Sequence, residues 1–518
     1  MTVPAGSSDS PPTPQQCTRC NEAEATLELR RSTELVCPSC FAYFVSTKTV
    51  KRLEAMQREM RAAGDRGKPA GAAPPPLRCL VALSCGPSST ALLHILHESL
   101  LRAHNDEQQG QAQEKKKKGK GTGQKQPRFE LDVVHVVFDA GDVEGGGGGG
   151  SGYEATERCK QEHELLDRYR TRFPGLEIRT VGLSSIVGSP GIDWSALPLT
   201  SPLPTTTTTT TITTTTTKAH QPALSTRQQR RQQLAEIFAR LPSATSRADV
   251  RRLLTRHALL AAAAAAAADK HSDVVLLGHS TTALAELTLG EAAKGRGFSL
   301  PWLVNDGAAF PVPVIVPSGG DRGKTAAEEE EEEEEEPEEG EEDKGEETTT
   351  KMVPVYYPLR EIFRKELLSY GANTTPPLTE LLSTNSSNNN NSSIAPNGNH
   401  SNGNSSSSSS SSGAVVSHKD LSIDDVMARY FGEVEMSYPS VVANVVRTTG
   451  KLNRTDDAGG GGDGGGVGKT GRCGLCGITL DAFGDERWRG EIGEESSDKA
   501  ARERSKGLCY GCERSTRA

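Results

Sequence analysis

Six low-complexity tracts interrupt this chain and limit how much of it can fold. They lie at 111–127 (Lys, Gly and Gln), 145–150 (Gly), 205–217 (Thr), 328–347 (mostly Glu), 385–412 (Asn and Ser) and 459–466 (Gly). Segments of this composition bury too little apolar surface to form a core, so we expect disordered surface insertions between folded elements. Long insertions are tolerated because loop-closure entropy rises only logarithmically with length. The remainder of the 518 residues suits one main core with small appended modules.

The formal net charge of −9 comes from a single acidic segment. Residues 321–347 contain 17 acidic and three basic side chains, which leaves 56 basic and 51 acidic groups elsewhere. A mildly basic body permits a nucleic-acid partner, although phosphate binding depends on local clusters of Lys and Arg. No apolar run typical of a secretory signal precedes residue 17, and the longest apolar stretch, Ala258–Ala268, is well short of the ~20 residues that span a bilayer. These features predict a soluble intracellular protein without a membrane partner.

Between the tracts, short apolar runs alternate with helical patterns. The runs that predict buried strands are Leu77–Leu83, Leu131–Phe138, Leu176–Val181 and Asp273–Gly278. This alternation predicts an α/β fold, a Rossmann-like parallel sheet with helices on both faces. In such sheets ligands bind at the carboxyl ends of the strands, near the point where strand order reverses. The turns after Leu83 and Leu277 are therefore the candidate sites.

The first of these turns reads Ser84-Cys85-Gly86-Pro87-Ser88-Ser89-Thr90. Backbone N–H groups at such a bend point at an anion, helped by the helix dipole, although many turns use Ser and Gly merely to cap the helix. The turn resembles the Ser-Gly-Gly-x-Asp-Ser pyrophosphate loop of the PP-loop ATPases, which Ser84, Gly86 and Ser89 match. Cys85 replaces the first central glycine, and Ser88 replaces the aspartate that handles magnesium and pyrophosphate. We therefore expect a degenerate phosphate site in which ATP binding is in doubt.

The second turn shows a matching loss. Active tRNA thiolases of the PP-loop group have Gly-His-Asn-x-Asp-Asp-x-Ala-Glu-Thr where this chain has Gly-His-Ser-Thr-Thr-Ala-Leu-Ala-Glu-Leu, from Gly278 to Leu287. Gly278 and His279 match, whereas Thr282 and Ala283 replace the aspartate pair. Adenylation of uridine releases pyrophosphate, and magnesium held by carboxylates neutralises the developing charge. The resemblance thus implies a pseudoenzyme with no catalytic residues of its own.

A third block narrows the resemblance to one family. Gly295-Arg296-Gly297-Phe298-Ser299-Leu300-Pro301-Trp302 is similar to the Gly-Arg-Gly-x-x-Leu-Pro-Trp block of the cytoplasmic tRNA 2-thiolation protein 2 family. The run Pro87–Leu93 and the paired cysteine modules near the two ends of the chain also resemble that family. The segment Val353–Glu361 resembles its Pro-Leu-Arg segment, where we expect Arg360 in a surface ion pair rather than an RNA contact. The resemblance implies the PP-loop (adenine nucleotide alpha hydrolase-like) form of the fold and a cytoplasmic location.

Eight of the eleven cysteines form four Cys-x-x-Cys pairs: Cys17 and Cys20, Cys37 and Cys40, Cys473 and Cys476, and Cys509 and Cys512. Sixteen residues separate the first two pairs and thirty-two separate the last two. These spacings are typical of four-thiolate zinc sites rather than of disulfides. Modules this short need a metal to fold. We predict two structural zinc sites, one towards each end of the chain, and leave open whether another metal takes the place of zinc.

Three cysteines remain, Cys79, Cys85 and Cys159, and some relatives hold an iron–sulfur cluster with three cysteines of the catalytic domain. These three lack Cys-x-x-Cys spacing, so core or surface thiols are the favoured interpretation. His94 and His97 lie three residues apart on the first predicted helix, without an evident carboxylate partner. For them, too, core or surface positions are favoured over metal ligation.

The resemblance also implies a function. It is that of a non-catalytic or weakly catalytic subunit of the complex that 2-thiolates the wobble uridine, U34, of cytoplasmic tRNAs for lysine, glutamate and glutamine. The implied partners are a catalytic thiolation subunit in a heterodimer, tRNA, and a thiocarboxylated ubiquitin-related modifier that donates sulfur. Two alternatives stay open: an active ATP-dependent tRNA thiolase with substitute ligands, and a zinc scaffold that binds RNA without a sulfur role.

The predicted organisation combines these segments. Residues 1–16 are disordered, 17–60 form a zinc ribbon and a helix, and 77–370 form the α/β domain with insertions at 103–127, 141–152, 201–222 and 318–350. A disordered Ser/Asn linker at 371–418, a helical or strand extension of the core at 419–456, a Gly linker at 457–472 and the second zinc module at 473–512 complete the prediction.

Overall fold

A computed structural model describes the folded segments of the chain. These are residues 15–29, 34–64, 76–114, 129–142, 152–199, 226–264, 271–316, 347–382, 421–454, 471–480 and 507–517. The predicted disorder of the first fourteen residues, of most of each insertion, of 383–418 and of the Gly linker before residue 471 lies outside the described residues.

The centre of the molecule is a six-stranded sheet. Its strands are β3 (Leu77–Ala82), β4 (Phe129–Val137), β5 (Ile178–Gly182), β6 (Val274–Leu277), β7 (Ala308–Val316) and β8 (Glu347–Tyr356). They lie in the order β5-β4-β3-β6-β8-β7. Strands β4 and β5 lie on one side of β3, and strands β6, β8 and β7 lie on the other. The strand order therefore reverses between β3 and β6. The two candidate turns follow these two strands, which confirms their predicted place in the sheet.

The predicted parallel sheet is confirmed for five strands, while the edge strand β7 runs antiparallel to β8. Strand β7 contains Pro311 and Pro313, which lack the N–H group that an inner strand would donate to a second neighbour. Proline is therefore tolerated at this edge and would be disfavoured within the sheet. Apolar periodicity does not encode the direction of a strand, so the sequence alone did not reveal that β7 runs antiparallel to β8.

Helices cover both faces of the sheet. They are α1 (Pro38–Gly64), α2 (Pro87–Glu114), α3 (Gly152–Arg172), α4 (Thr226–Arg240), α5 (Ala244–Ala264), α6 (Thr281–Ala293), α7 (Leu300–Val304), α8 (Arg364–Ala372), α9 (Ile423–Ser437), α10 (Pro439–Thr449) and α11 (Tyr510–Thr516). No described helix is long and apolar enough to cross a membrane. Two hydrophobic cores result, one on each face. Along β3 the pleat sends Leu80 into one core and Cys79 and Val81 into the other.

The two cysteine modules lie on opposite faces of the sheet. In the N-terminal module, a short antiparallel ribbon of β1 (Leu27–Glu28) and β2 (Leu35–Val36) precedes α1. Its buried residues share a core with α2, α3 and α8. The C-terminal module, which includes α11, shares the other core with α4, α5, α9 and α10. Each module thus packs into one face of the main domain and is not an independent domain.

Several predicted boundaries need correction. Helix α2 continues to Glu114, inside the insertion predicted at 103–127, and β8 begins at Glu347, inside the one predicted at 318–350. The linker predicted from residue 371 starts too early, because Leu378 and Leu381 are buried in a short 3-10 turn beside α2 and α8. The extension predicted at 419–456 consists of α9 and α10, and its described residues, 421–454, contain no strand.

Candidate phosphate-loop site and metal centres

The two candidate turns touch each other. Ala82 at the end of β3 pairs with Leu277 at the end of β6, so the turns emerge side by side. A Cβ atom built on Gly278 would lie 2.8 Å from the Cα of Ser89, closer than real Cβ contacts. Only glycine therefore lets the second turn lie against the beginning of α2. The structure brings together the residues that sequence reasoning placed in one degenerate site.

The first turn is closed by its own hydroxyl groups. Ser89 lies at its centre: its Oγ accepts a hydrogen bond from the Ser84 N–H at 3.2 Å and donates to the Gly86 carbonyl at 3.2 Å. Pro87 opens α2 and has no N–H to offer an anion. Ser84 is exposed and Ser88 half-buried, so both side chains can reach a ligand at this edge. Because of Pro87, the turn offers an anion one backbone donor fewer than a turn without proline.

Cys85, which replaces the first central glycine, adopts a left-handed backbone with φ of 56°. This conformation is uncommon for residues other than glycine. Its side chain is buried and lies 3.8 Å from His135 Nδ1. His135 Nδ1 also donates to the Leu83 carbonyl at 2.7 Å, and Nε2 donates to Glu162 at 2.9 Å. The loop thus rests on a Cys85–His135–Glu162 chain that ties β4 and α3 to the end of β3.

His135 is expected to be protonated at neutral pH. Burial disfavours the imidazolium, but hydrogen bonds to Cys85 and Glu162 outweigh it and raise the pKa of His135 to about 10. Because the folded-state pKa lies above the ordinary 6.5, this contribution to stability is fully present below pH 6.5 and is lost as pH rises through about 10. NMR titration of the imidazole should show the raised pKa, and Glu162→Gln should lower it. A His135 ring that titrates near 6.5 in the unaltered protein would contradict this assignment.

The second turn is anchored to the segment before α8. Ser280 caps α6, since its side chain accepts from the Ala283 N–H. The Thr281 N–H donates to the Ile362 carbonyl at 2.8 Å, and its hydroxyl donates to the Arg360 carbonyl at 2.8 Å. His279 packs edge-on against Tyr357, and burial together with nearby Arg252 and Arg364 lowers the pKa of His279 to about 4. The His279 ring is therefore neutral at physiological pH, so any phosphate contact would use a neutral donor.

Position 282, where active thiolases have an aspartate, is buried beneath α9. The Thr282 hydroxyl donates to Glu435 Oε2 at 2.9 Å and accepts from the Arg364 N–H at 3.0 Å. The other oxygen of Glu435 accepts from the Lys365 N–H at 2.9 Å. Thr282 is completely buried, and α6 packs extensively against α9. The position of the lost carboxylate is thus occupied by a helix-to-helix contact.

Two further carboxylates near this edge of the sheet already have protein partners. Asp139 follows β4 and is buried; it accepts from the Ser184 N–H at 2.9 Å and from Arg231 Nε at 3.2 Å. On α6, Glu286 accepts from Arg364 NH2 at 2.6 Å. Sequence reasoning did not identify Asp139, His135 or Glu435, because each is distant in the chain from the motif it supports. The only local signal for Asp139 and His135 is a polar side chain inside or just after an apolar run, and Glu435 lacks even that signal.

The N-terminal cysteines form a cluster suited to one metal ion. The sulfur atoms of Cys17, Cys20, Cys37 and Cys40 all lie within 4.8 Å of one another. The Sγ atoms of Cys20 and Cys37 are 3.8 Å apart. A tetrahedron with metal–sulfur bonds of about 2.3 Å has S···S edges of about 3.8 Å, whereas a disulfide bond is about 2.05 Å long. All four thiols are free, so the donor set fits a four-thiolate metal site.

The C-terminal cysteines form a second cluster of the same kind. The sulfur atoms of Cys473, Cys476, Cys509 and Cys512 lie within 4.8 Å of one another, and the Sγ atoms of Cys476 and Cys509 are 3.9 Å apart. All four are buried. Two side chains of helix α5 bond to the backbone of this module. Arg256 donates to the Cys476 carbonyl at 2.6 Å, and His257 donates to the Leu475 carbonyl at 2.8 Å. The fold therefore assembles two clusters of four cysteines, each of which could hold a metal ion.

The Gly-Arg-Gly block fastens the C-terminal module to the sheet domain. Arg296 is 1% exposed, and its guanidinium donates to Asp249 at 2.9 Å and to the Cys512 sulfur at 3.5 Å. Two glycines make room for this contact: a Cβ on Gly511 would lie 2.4 Å from Arg296 Cγ, and one on Gly295 would lie 2.3 Å from the Tyr510 ring. The Gly-Arg-Gly motif, on which the resemblance to the family partly rested, thus packs the C-terminal cysteine module against the sheet domain.

The remaining cysteines and histidines occupy the predicted core and surface positions. Cys79 is fully buried in β3, and burial raises the pKa of its thiol. Cys159 is half-buried on α3. His94 donates to or accepts from the Tyr370 hydroxyl at 2.8 Å, and His97 Nε2 donates to the Pro174 carbonyl at 3.3 Å. Among the described residues, neither the cysteines nor these histidines belong to a third cluster with metal-ligand geometry.

Comparison with known proteins agrees with this architecture. The family model described as cytoplasmic tRNA 2-thiolation protein 2 matches residues 422–514, which include α9, α10 and the C-terminal module. A relative with that name from Sclerotinia sclerotiorum is 30% identical over 429 residues, which cover 83% of this chain and 80% of the relative. One from Phaeosphaeria nodorum is 28% identical over 518 residues, covering 99% and 97%.

Among solved structures, the chain resembles the U34-tRNA thiolase NcsA from Methanococcus maripaludis with its 4Fe-4S cluster. The match covers 93% of this chain and 98% of that one, with 12% identity and a TM-score of 0.39, a likeness too weak to support a functional argument. The alignment with the Sclerotinia relative covers four fifths of that protein at 30% identity. The chain belongs to the cytoplasmic tRNA 2-thiolation protein 2 family.

Proposed function

We propose that this chain is the non-catalytic subunit of the cytoplasmic complex that 2-thiolates U34 of the tRNAs for lysine, glutamate and glutamine. Family membership supports a role in tRNA 2-thiolation, because the Sclerotinia and Phaeosphaeria relatives both carry that name. The α/β fold supports descent from a nucleotide-binding protein, since the two candidate turns meet at the reversal of strand order. The relatives' name also supports a cytoplasmic location.

One observation carries the non-catalytic part of the proposal. The Thr282 side chain is fully buried against Glu435 of α9, so this position does not face a ligand at the edge of the sheet. Ser88 in the neighbouring turn supplies a hydroxyl where a carboxylate would bind magnesium. Activation of a uridine oxygen by ATP needs metal-held phosphates, which these residues are poorly suited to provide. The two turns then form a degenerate phosphate site with a structural role. Its residues are Ser84, Gly86, Ser88, Ser89, Gly278 and His279.

The partners that we propose are those that the resemblance to this family implies. A non-catalytic subunit needs a second, catalytic one, and we assign that role to an intact PP-loop thiolation subunit in a heterodimer. Sulfur then comes from a thiocarboxylated ubiquitin-related modifier that acts on the catalytic subunit. We assign zinc to both cysteine clusters, because four thiolates in tetrahedral spacing form a closed site that suits structural zinc. Bound zinc would cross-link the four cysteines of each module. It would have no open coordination position for a substrate.

The direct test measures thiolated tRNA in cells that lack this chain. We expect the thiolated forms of the three tRNAs to disappear, read out as loss of retardation on mercury-containing gels. The purified chain with tRNA, ATP and magnesium should release no pyrophosphate. Unchanged thiolation would favour the RNA-binding scaffold without a sulfur role. Pyrophosphate release by the chain alone would instead favour the active thiolase with substitute ligands.

Thr282→Asp introduces the aspartate that active thiolases have at this position. We expect it to destabilise the protein by about 2–3 kcal/mol, because a carboxylate would replace the hydroxyl that donates to buried Glu435. Urea denaturation measures the change. Thr282→Ser keeps the hydroxyl and serves as the matched control, with less than about 1 kcal/mol lost. Adding Glu435→Gln to Thr282→Asp should recover about half of the stability, since the amide can donate to the new carboxylate. A Thr282→Asp protein as stable as the unaltered one would contradict the assignment of position 282 to a buried contact with Glu435.

A further inference from the structure

A cleft of about 520 Å³ opens beside the second turn, where α6, α10, α1 and the segment before α8 meet. We call it the basic cleft. It is lined by Lys48, Thr281, Arg360, Glu361, Ala443, Val446, Arg447, Gly450 and Lys451. Four of these residues are cationic and one is anionic, an excess of three positive charges in a space within the range of small-ligand sites.

The carboxylate in the cleft already has cationic partners, since Lys48 Nζ, also in the cleft, lies 3.9 Å from Glu361 Oε2. Glu361 accepts a hydrogen bond from Arg52 NH1 at 2.7 Å, and Arg52 does not line the cleft. Arg360 was predicted in a surface ion pair. It does pair with Asp306, at 3.2 Å, but only 12% of its side chain is exposed. Arg52 also bonds to Asp306 and so shares that carboxylate with Arg360. Both carboxylates are thus paired with nearby cations, and the cationic excess of the cleft comes from Arg447 and Lys451.

The two outer cations extend this charge to the surface. Arg447 and Lys451 are exposed, and no carboxylate pairs with either within the part of the chain that the structure describes. The Arg360 guanidinium lies close to Gly450, where a Cβ would be in ordinary contact with its NH2 atom at 3.4 Å. The backbone donor at the start of α6 is not available, because the Thr281 N–H is bonded to Ile362. An anion in the cleft therefore meets side-chain cations that lead from a half-buried Arg360 to solvent.

We infer that the basic cleft binds backbone phosphates of RNA. A row of cations that begins in a cleft and continues on an exposed helix end suits a polyanion, which contacts several cations at once, better than a single small anion. The choice of RNA rests on the proposed function, whereas the electropositive cleft does not. A structural role competes with this inference, because cations near the C-terminus of α10 also stabilise the helix dipole.

The test compares two double variants of the full-length protein that each remove two positive charges. The cleft variant is Arg447→Ala with Lys451→Ala. The control is Lys160→Ala with Arg429→Ala, two exposed residues on α3 and α9 outside the cleft. Fluorescence anisotropy measures binding of an unmodified tRNA transcript across a range of salt concentrations. We expect the cleft variant to bind about tenfold more weakly and to reduce the slope of log K against log salt by about 2. The control should stay within about twofold of the unaltered protein.

Each other outcome overturns the inference. Equal losses in both variants would show that only net charge matters, and unchanged binding in the cleft variant would show that the cleft is not used. Displacement of the tRNA transcript by millimolar ATP from the unaltered protein would assign the cleft to a nucleotide. A further control exchanges the two cations, Arg447→Lys with Lys451→Arg, and so keeps the positive charge. This variant should bind the tRNA transcript as the unaltered protein does, which separates loss of charge from loss of stability in the alanine variant. Thiolated tRNA in cells tests the proposed function separately, so failure of one leaves the other standing.

Discussion

Cys476→Ser is expected to prevent stable folding of the whole α/β domain, not only of the C-terminal module. Structural zinc contributes on the order of 10 kcal/mol in small modules, comparable to the entire stability of a typical domain. Cys476 is buried in the same core as α5 and β6, and the backbone around it accepts hydrogen bonds from Arg256 and His257. Loss of the metal therefore removes part of the covering of one face of the sheet. Soluble yield and thermal denaturation measure the effect.

The control is Cys159→Ser, which changes a half-buried thiol on α3 that belongs to neither cluster. We expect this variant to fold and to hold two metal ions per chain, as the unaltered protein should by elemental analysis. Cys37→Ser should lose the N-terminal metal and weaken the packing of α1 on α2 and α8. A Cys476→Ser protein with normal melting and two bound metal ions would contradict the assignment of this cluster.

Arg296→Met is expected to lower the free energy of unfolding by about 3–5 kcal/mol, the cost of removing one partner from a buried ion cluster. The guanidinium is fully enclosed and contacts Asp249, Glu291 and the Cys512 sulfur. Its removal leaves buried carboxylates with less compensation and opens a gap beneath Gly511. Urea denaturation measures the change, and partial loss of the C-terminal metal should accompany it.

Arg252→Met is the matched control for this prediction. Arg252 contacts the same two carboxylates, Asp249 and Glu291, but its side chain is 30% exposed and does not touch the metal module. We expect a loss of about 1–2 kcal/mol and full metal content. Arg296→Lys should fall between the two, because lysine keeps the charge but lacks the fork that bonds both oxygens of Asp249. Equal losses in the two methionine variants would show that Arg296 has no special role in docking the module.

The sequence alone determined most of the local structure and the chemistry of its motifs. The four predicted strands are confirmed with shifts of a few residues, because apolar periodicity depends on neighbours in the chain. The spacing of the cysteines predicted both clusters, since two thiolates in one turn are already placed for one metal. The turns after Leu83 and Leu277 were predicted as candidate ligand sites because they follow strands of an α/β sheet, and the structure shows the two turns in contact.

Only the tertiary structure decided what these motifs touch. Glu435 reaches Thr282 from 153 residues away, and Arg296 meets Cys512 across 216 residues. No periodicity encodes such distances, because they depend on how α9 and the C-terminal module pack against α5 and α6. The antiparallel edge strand β7, the opposite faces taken by the two metal modules and the basic cleft arise in the same way. Local sequence specifies an element and its polar face, whereas long-range packing determines which partner that face meets.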